Sequence, residues 1–132
     1  MNHDSPPPGP ATVLSLFDAQ ALDKLRVLDP QGTHGLVARV LRTFAESLER
    51  HADELRDARH AMDFAALRLV AHTLKSSAAS VGALELARLS TDIEALSRQQ
   101  SPDSFGAVLD AMQTELQRLR EAMAALPWPP SA

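Results

Sequence analysis

The sequence predicts an all-α protein, an antiparallel up-down four-helix bundle with a short extra N-terminal helix. Three observations point there. Alanine and leucine supply 42 of the 132 residues, whereas valine and isoleucine supply only eight, an inventory that favours helix over sheet. Seven of the nine prolines lie in the tails, and only Pro30 and Pro102 are internal. In the body, apolar residues recur at alternating spacings of three and four, the seam pattern of packed helices.

A short first helix is predicted over Asp18 to Leu28, with Ala21, Leu22, Leu25 and Leu28 on one face and Asp18 as its cap. Asp29-Pro30-Gln31-Gly32 reads as a turn. A long second helix follows from about His34 to Arg59, with Thr33 as N-cap and Val37, Val40, Leu41, Phe44, Leu48 and Leu55 as its stripe. A third begins at Asp63, carries Leu67, Val70, Ala71, Leu74, Ala78 and Val81 inward, and stops at Gly82. The fourth covers about Ala83 to Arg98 through Leu86, Leu89, Ser90, Ile93 and Leu96. Ser101-Pro102-Asp103 opens the fifth, where proline suits the first turn. Its stripe runs Phe105, Val108, Leu109, Met112, Leu116, Leu119, Met123 and Leu126. Short connections make neighbours antiparallel. Residues 1–16 read as a disordered Pro-rich arm, 17–126 as the bundle, and 127–132 as a tail in which Trp128 is the one tryptophan.

Composition removes several classes of function. With no cysteine there is no disulfide, zinc-thiolate site or thiol nucleophile. The net charge of -4 gives no basic stripe for nucleic acid. No apolar run reaches the roughly 18 residues of a membrane span. Residues Met1 to Ser5 lack the basic and apolar regions of a secretion signal, so a cytoplasmic protein is expected. His3, His34, His51 and His60 do not form a metal-ligand pattern, and no metal or other cofactor is expected. No Gly-rich phosphate loop or dinucleotide fingerprint is present. The run Glu46, Glu49, Arg50, Asp53, Glu54, Arg56 and Asp57 reads as a solvated helix face. Met62, Met112 and Met123 read as core filler.

The informative stretch is Val70 to Ala83. On a helix turning about 100° per residue, the core stripe Leu67, Ala71, Leu74, Ala78 and Val81 places His72 toward solvent, on a face with Arg68, Leu69, Lys75, Ser76 and Ala79. His72 and Lys75 stand at i and i+3, close enough to act on one ligand. Lys75 is one of two lysines beside 11 arginines, and a compact ammonium suits a phosphoryl oxygen. Ser76 and Ala79 leave clearance for another surface to approach the imidazole. No carboxylate lies within one turn on that face, and Glu85 and Glu94 belong to the next helix.

The stretch resembles the histidine-containing phosphotransfer (HPt) domain family. The likeness lies in His72-Thr73-Leu74-Lys75-Ser76-Ser77, Val81-Gly82-Ala83, Leu86-Ala87 and Ile93-Glu94, together with the opening Phe17, Asp18, Leu22 and Leu25 and with Phe44 in a long second helix. It extends over about residues 17 to 125. It implies a phosphocarrier in a multistep two-component relay. His72 would accept a phosphoryl group from the aspartyl phosphate of a receiver domain and pass it to another, and Lys75 would stabilise the phosphoryl oxygens. The partners implied are receiver domains of response regulators or hybrid histidine kinases, docking over Arg68, Leu69, Ser76 and Ala79 with neighbouring positions of the second and third helices. Ser76 stands where the family commonly has glycine. The alternative is a non-catalytic bundle that binds a receiver or kinase without phosphotransfer. Nothing resembles the ATP-binding part of a kinase, so ATP-dependent kinase activity is not expected. A free-standing, monomeric carrier is.

Overall fold

The structure, a computed structural model, describes residues 16–99 and 102–124. Five helices make up the described residues, which contain no strand: α1 (Ala19–Leu28), α2 (Leu36–Ala61), α3 (Phe64–Val81), α4 (Leu84–Gln99) and α5 (Pro102–Ala124). The four long helices close a ring in chain order, with α5 returning to α2, and α1 lies against α2 and α3. Residues 1–15 of the expected arm, the tail with Trp128 and the last stripe residue Leu126 fall outside the described residues, whereas Leu16, expected in the arm, packs partly buried against the core.

The apolar stripes become the core. Leu48, Leu55, Leu67, Leu74, Leu86 and Ile93 are fully buried, as is Met112, and Phe105, Leu116 and Leu119 nearly so. Deleting one such side chain costs about 2–5 kcal/mol. Phe17 meets Phe44 edge-on with ring centroids 6.2 Å apart, which fastens the chain entering α1 to α2. Arg120 reaches Glu49 and Arg59 reaches Asp110, tying α5 to α2 across the surface. The expected solvated run of α2 thus faces outward but lends Glu49 to α5.

Four local expectations fail, the first two for a contact outside the helix concerned. Thr33 does not cap α2. The helix starts at Leu36 behind Gly35, whose φ is 57°, and the Asp29 carboxylate accepts from the backbone N–H of His34 (3.2 Å) and of Leu36 (3.1 Å). The bond from Leu36 is the main reason the Asp29 carboxyl titrates below its ordinary range, with burial working against it. Asp18 occupies the N-cap of α1 without a side-chain cap bond. Its backbone N–H instead donates to the Gly82 carbonyl at 2.8 Å. Leu28 is 74% exposed, because the last turn of α1 leaves Val27 and Leu28 in solvent. Met62 is not core filler: it is the left-handed C-cap of α2 at φ 51°, half in water. Asp63 does cap α3, accepting from the Ala66 N–H at 3.1 Å.

Candidate functional site

His72 sits near the middle of α3, on a helix held by its other face. Ala71 and Leu74 on either side of it are fully buried. The hydroxyls of Thr73, Ser77 and Ser80 bond back to the carbonyls of Leu69, Thr73 and Ser76. Such back-bonding satisfies these polar side chains within the helix. A serine-rich segment therefore stays helical and presents a low, smooth surface.

The His72 side chain is 63% exposed and that of Lys75 40%. Arg68, Leu69, Ser76 and Ala79 are all exposed, so the six positions expected to share one face do so. Leu69, at 67% exposure, is a large apolar side chain left in water beside the imidazole. Two grooves flank the histidine. On one side Ala65, Arg68, Leu69 and His72 of α3 form a shallow cleft with Glu94 and Arg98 of α4. On the other, Val40, Thr43, Phe44 and Ser47 of α2 face Thr73, Ser77 and Ser80 across an apolar trough.

Glu94 is the site residue that sequence reasoning missed. The fourth helix brings its carboxylate under the α3 face, where only 7% of the side chain is exposed. Its Oε1 lies 3.0 Å from Lys75 Nζ and 3.5 Å from His72 Nδ1, and its Oε2 lies 3.3 Å from Arg98. No donor is well aligned on the buried Oε1, so its contacts are ion pairs more than directed hydrogen bonds. The close approach of Lys75 holds the Glu94 carboxyl below the usual range. Burial pushes the other way, and charge on Lys75 and His72 adds to the lowering. The carboxylate is covered by the side chains over it but lies near the bundle surface, so loss of hydration does not win. The sequence did hold a signal. Ser90, Glu94 and Ser97 recur at helical spacing along the buried side of α4, and an acid in such a stripe needs partners.

The remaining histidines do other work. His51 is buried, with Nδ1 2.7 Å from Glu54 Oε1, and His34 gives its backbone N–H to Asp29. Among the described residues no three His, Cys, Asp or Glu side chains are grouped to hold a metal ion. No described helix is long and apolar enough to cross a membrane.

A family model described as Hpt domain matches residues 39–122. Among solved structures, the chain is similar to histidine-containing phosphotransfer protein B (HptB) from Pseudomonas aeruginosa PAO1. The two share 26% identity over 79% of this chain and 87% of that one, with a TM-score of 0.69. No curated protein matches the sequence. The family match spans more than half of the chain, from the first turn of α2 into the last of α5, and includes the exposed His72 and Lys75. The chain therefore belongs to the Hpt domain family, the phosphocarriers of phosphorelays.

Proposed function

We propose that His72 is the phosphoryl acceptor of this phosphocarrier and that Lys75 stabilises the group it carries. The observation that carries the reading is an imidazole 63% exposed on a helix whose opposite face is locked in the core. Phosphoryl transfer depends chiefly on positioning and charge stabilisation. A nucleophile on a rigid helix is therefore what this protein must contribute, and the receiver domain brings the aspartyl phosphate. Lys75, one turn along, offers a cation to the phosphoryl oxygens once they arrive.

The receiver docks over Arg68, Leu69, Ser76 and Ala79. Leu69 supplies apolar area, Arg68 and Lys75 attract an acidic pocket, and the two small side chains let it approach. Such an interface is small and transient, near or below about 1,200 Å² in total. The carrier works as a cytoplasmic monomer, takes its phosphoryl group from receivers and not from ATP, and has no membrane or nucleic-acid partner. The test is incubation with receiver domains loaded from acetyl phosphate, followed by separation on a gel. Phosphoryl label on the wild-type chain and none on His72→Gln is the expected result. Label retained by His72→Gln refutes the assignment. Binding without transfer by the wild type would make the chain a docking bundle only.

A further inference from the structure

The apolar trough between α2 and α3 begins where the chain enters the bundle and ends beside His72. We propose that residues 10–15 of this chain lie along that trough and compete there with the receiver. The seating stands on the fold, whereas the competition rests on the reading of the chain as a phosphocarrier.

Three observations bring segment and trough together. First, the entering chain is fixed at one end of the trough. Phe17 packs edge-on against Phe44, and Phe44 itself lines the trough. The Asp18 N–H is bonded to the carbonyl of Gly82, next to the lining residue Val81, and Leu16 packs partly buried against the core. Second, the trough suits an apolar occupant. Phe44 and Val81 are buried beneath it and Val40 is half-buried. Its hydroxyls add little polarity, because those of Ser47, Thr73, Ser77 and Ser80 are already bonded to carbonyls of their own helices. Among its lining residues only Arg50 and His51, at the far end, can bring charge. Third, residues 10–15 read Pro-Ala-Thr-Val-Leu-Ser, without a charged side chain and with Val13 and Leu14 just ahead of Leu16.

The lengths agree. From Val81 to Thr73 the trough follows about 12 Å of α3. An extended segment advances about 3.1 Å per residue, so Ala11 to Leu14 span it. Because the segment is joined to α1, it meets the trough at an effective concentration in the millimolar range, and modest apolar contact suffices to fill it. Pro6, Pro7, Pro8 and Pro10 restrict the preceding chain, so less conformational freedom is lost on seating. The seated segment runs past Ser77 and Thr73, which stand beside His72 on α3. It leaves the imidazole open and covers its α2 side, ground that a receiver burying about 600 Å² of this chain needs. A receiver then docks only while the segment is out. Seating for about nine-tenths of the time slows transfer about tenfold.

The chain has no cysteine, so Gly9→Cys takes a single nitroxide label. In the full chain that label should broaden the backbone amide signals of Ser47, Thr73 and Ser77 and leave those of Gln113 and Gln117 on α5 sharp. Adding Val13→Asp and Leu14→Asp to the same labelled chain should abolish the pattern. Even broadening over the bundle, or a pattern that survives the double substitution, would overturn the proposal. So would broadening of a nitrogen-15 chain without nitroxide by labelled chain mixed with it, since the segment then sits on a second copy. The second readout is loading by one phosphorylated receiver. The full chain with Val13→Asp and Leu14→Asp should load about two- to tenfold faster than wild type, and an equal rate would overturn the competition. If receivers load neither chain, the phosphocarrier reading fails, and the broadening by itself decides whether the segment is seated.

Discussion

Gly82 links the helix that carries His72 to the N-terminal helix, and replacing it with alanine tests that link. Its φ of +76° lies in the left-handed region, where an L side chain costs about 1–2 kcal/mol. A Cβ built there would stand 2.6 Å from the backbone nitrogen of Asp18, 2.7 Å from its Cβ and 3.0 Å from the Cβ of Ala21. All three belong to the N-cap and first turn of α1 and none is the end of a flexible side chain, so α1 must retreat. Retreat stretches the 2.8 Å bond from Asp18 N–H to the Gly82 carbonyl, worth about 0.5–1.5 kcal/mol. It also loosens Phe17 and Leu22, now only 5% and 3% exposed. The sum is about 2–4 kcal/mol, or about 8–16 °C in Tm for a domain near 100 residues. Gly106 is the internal control. It lies within α5 with nothing within 4 Å of an added Cβ, so Gly106→Ala should stabilise by about 0.5–1 kcal/mol. Thermal and urea melts followed by far-ultraviolet circular dichroism read both signs. Gly82→Ala within about 0.5 kcal/mol of wild type would refute the reasoning that α1 is docked through this contact. Phosphoryl acceptance at 25 °C should survive in either variant, because His72 lies about 15 Å along the helix from Gly82.

Lys75→Ala should slow loading of His72 about tenfold or more, equivalent to at least about 1.4 kcal/mol in the barrier, while the helical signal stays unchanged. A parallel loss of helicity would mean that the lysine is structural. Arg68→Glu should slow transfer most at low ionic strength, since charge at a rim acts mainly on association. Arg118→Glu should transfer normally even though it melts earlier, because it sets a second acid against the buried Glu115 that Arg118 now holds at 2.7 Å. Equal slowing by both would show the docking face to be elsewhere. Asp29 and Glu94 both have carboxyls lowered by folding, from ordinary values of 3.8 and 4.5. Their stabilisation is complete above those values and is lost as pH falls through the lower folded ones. Urea midpoints should therefore drop below about pH 4.5, less steeply in Asp29→Asn, and a midpoint constant down to pH 3 would contradict the sign.

Helices α2 to α5, their buried stripes and the outward placement of His72 and Lys75 were legible in the sequence, because helical period and the order of apolar residues are local properties. Asp63 as a cap and Gly82 as a stop were legible for the same reason: each acts within a few residues of itself. The tertiary structure decided what depends on residues distant in the chain. Thr33 lost the start of α2 to Asp29, which folds back over a turn to reach two free N–H groups. Asp18 gave its backbone to Gly82 rather than its side chain to α1. Glu94 reached His72 and Lys75 only because α3 and α4 pack face to face. The exposed His72 could be placed from its own helix, since exposure follows from periodicity. The carboxylate beside it comes from another helix, and only the packing of the two could bring them together.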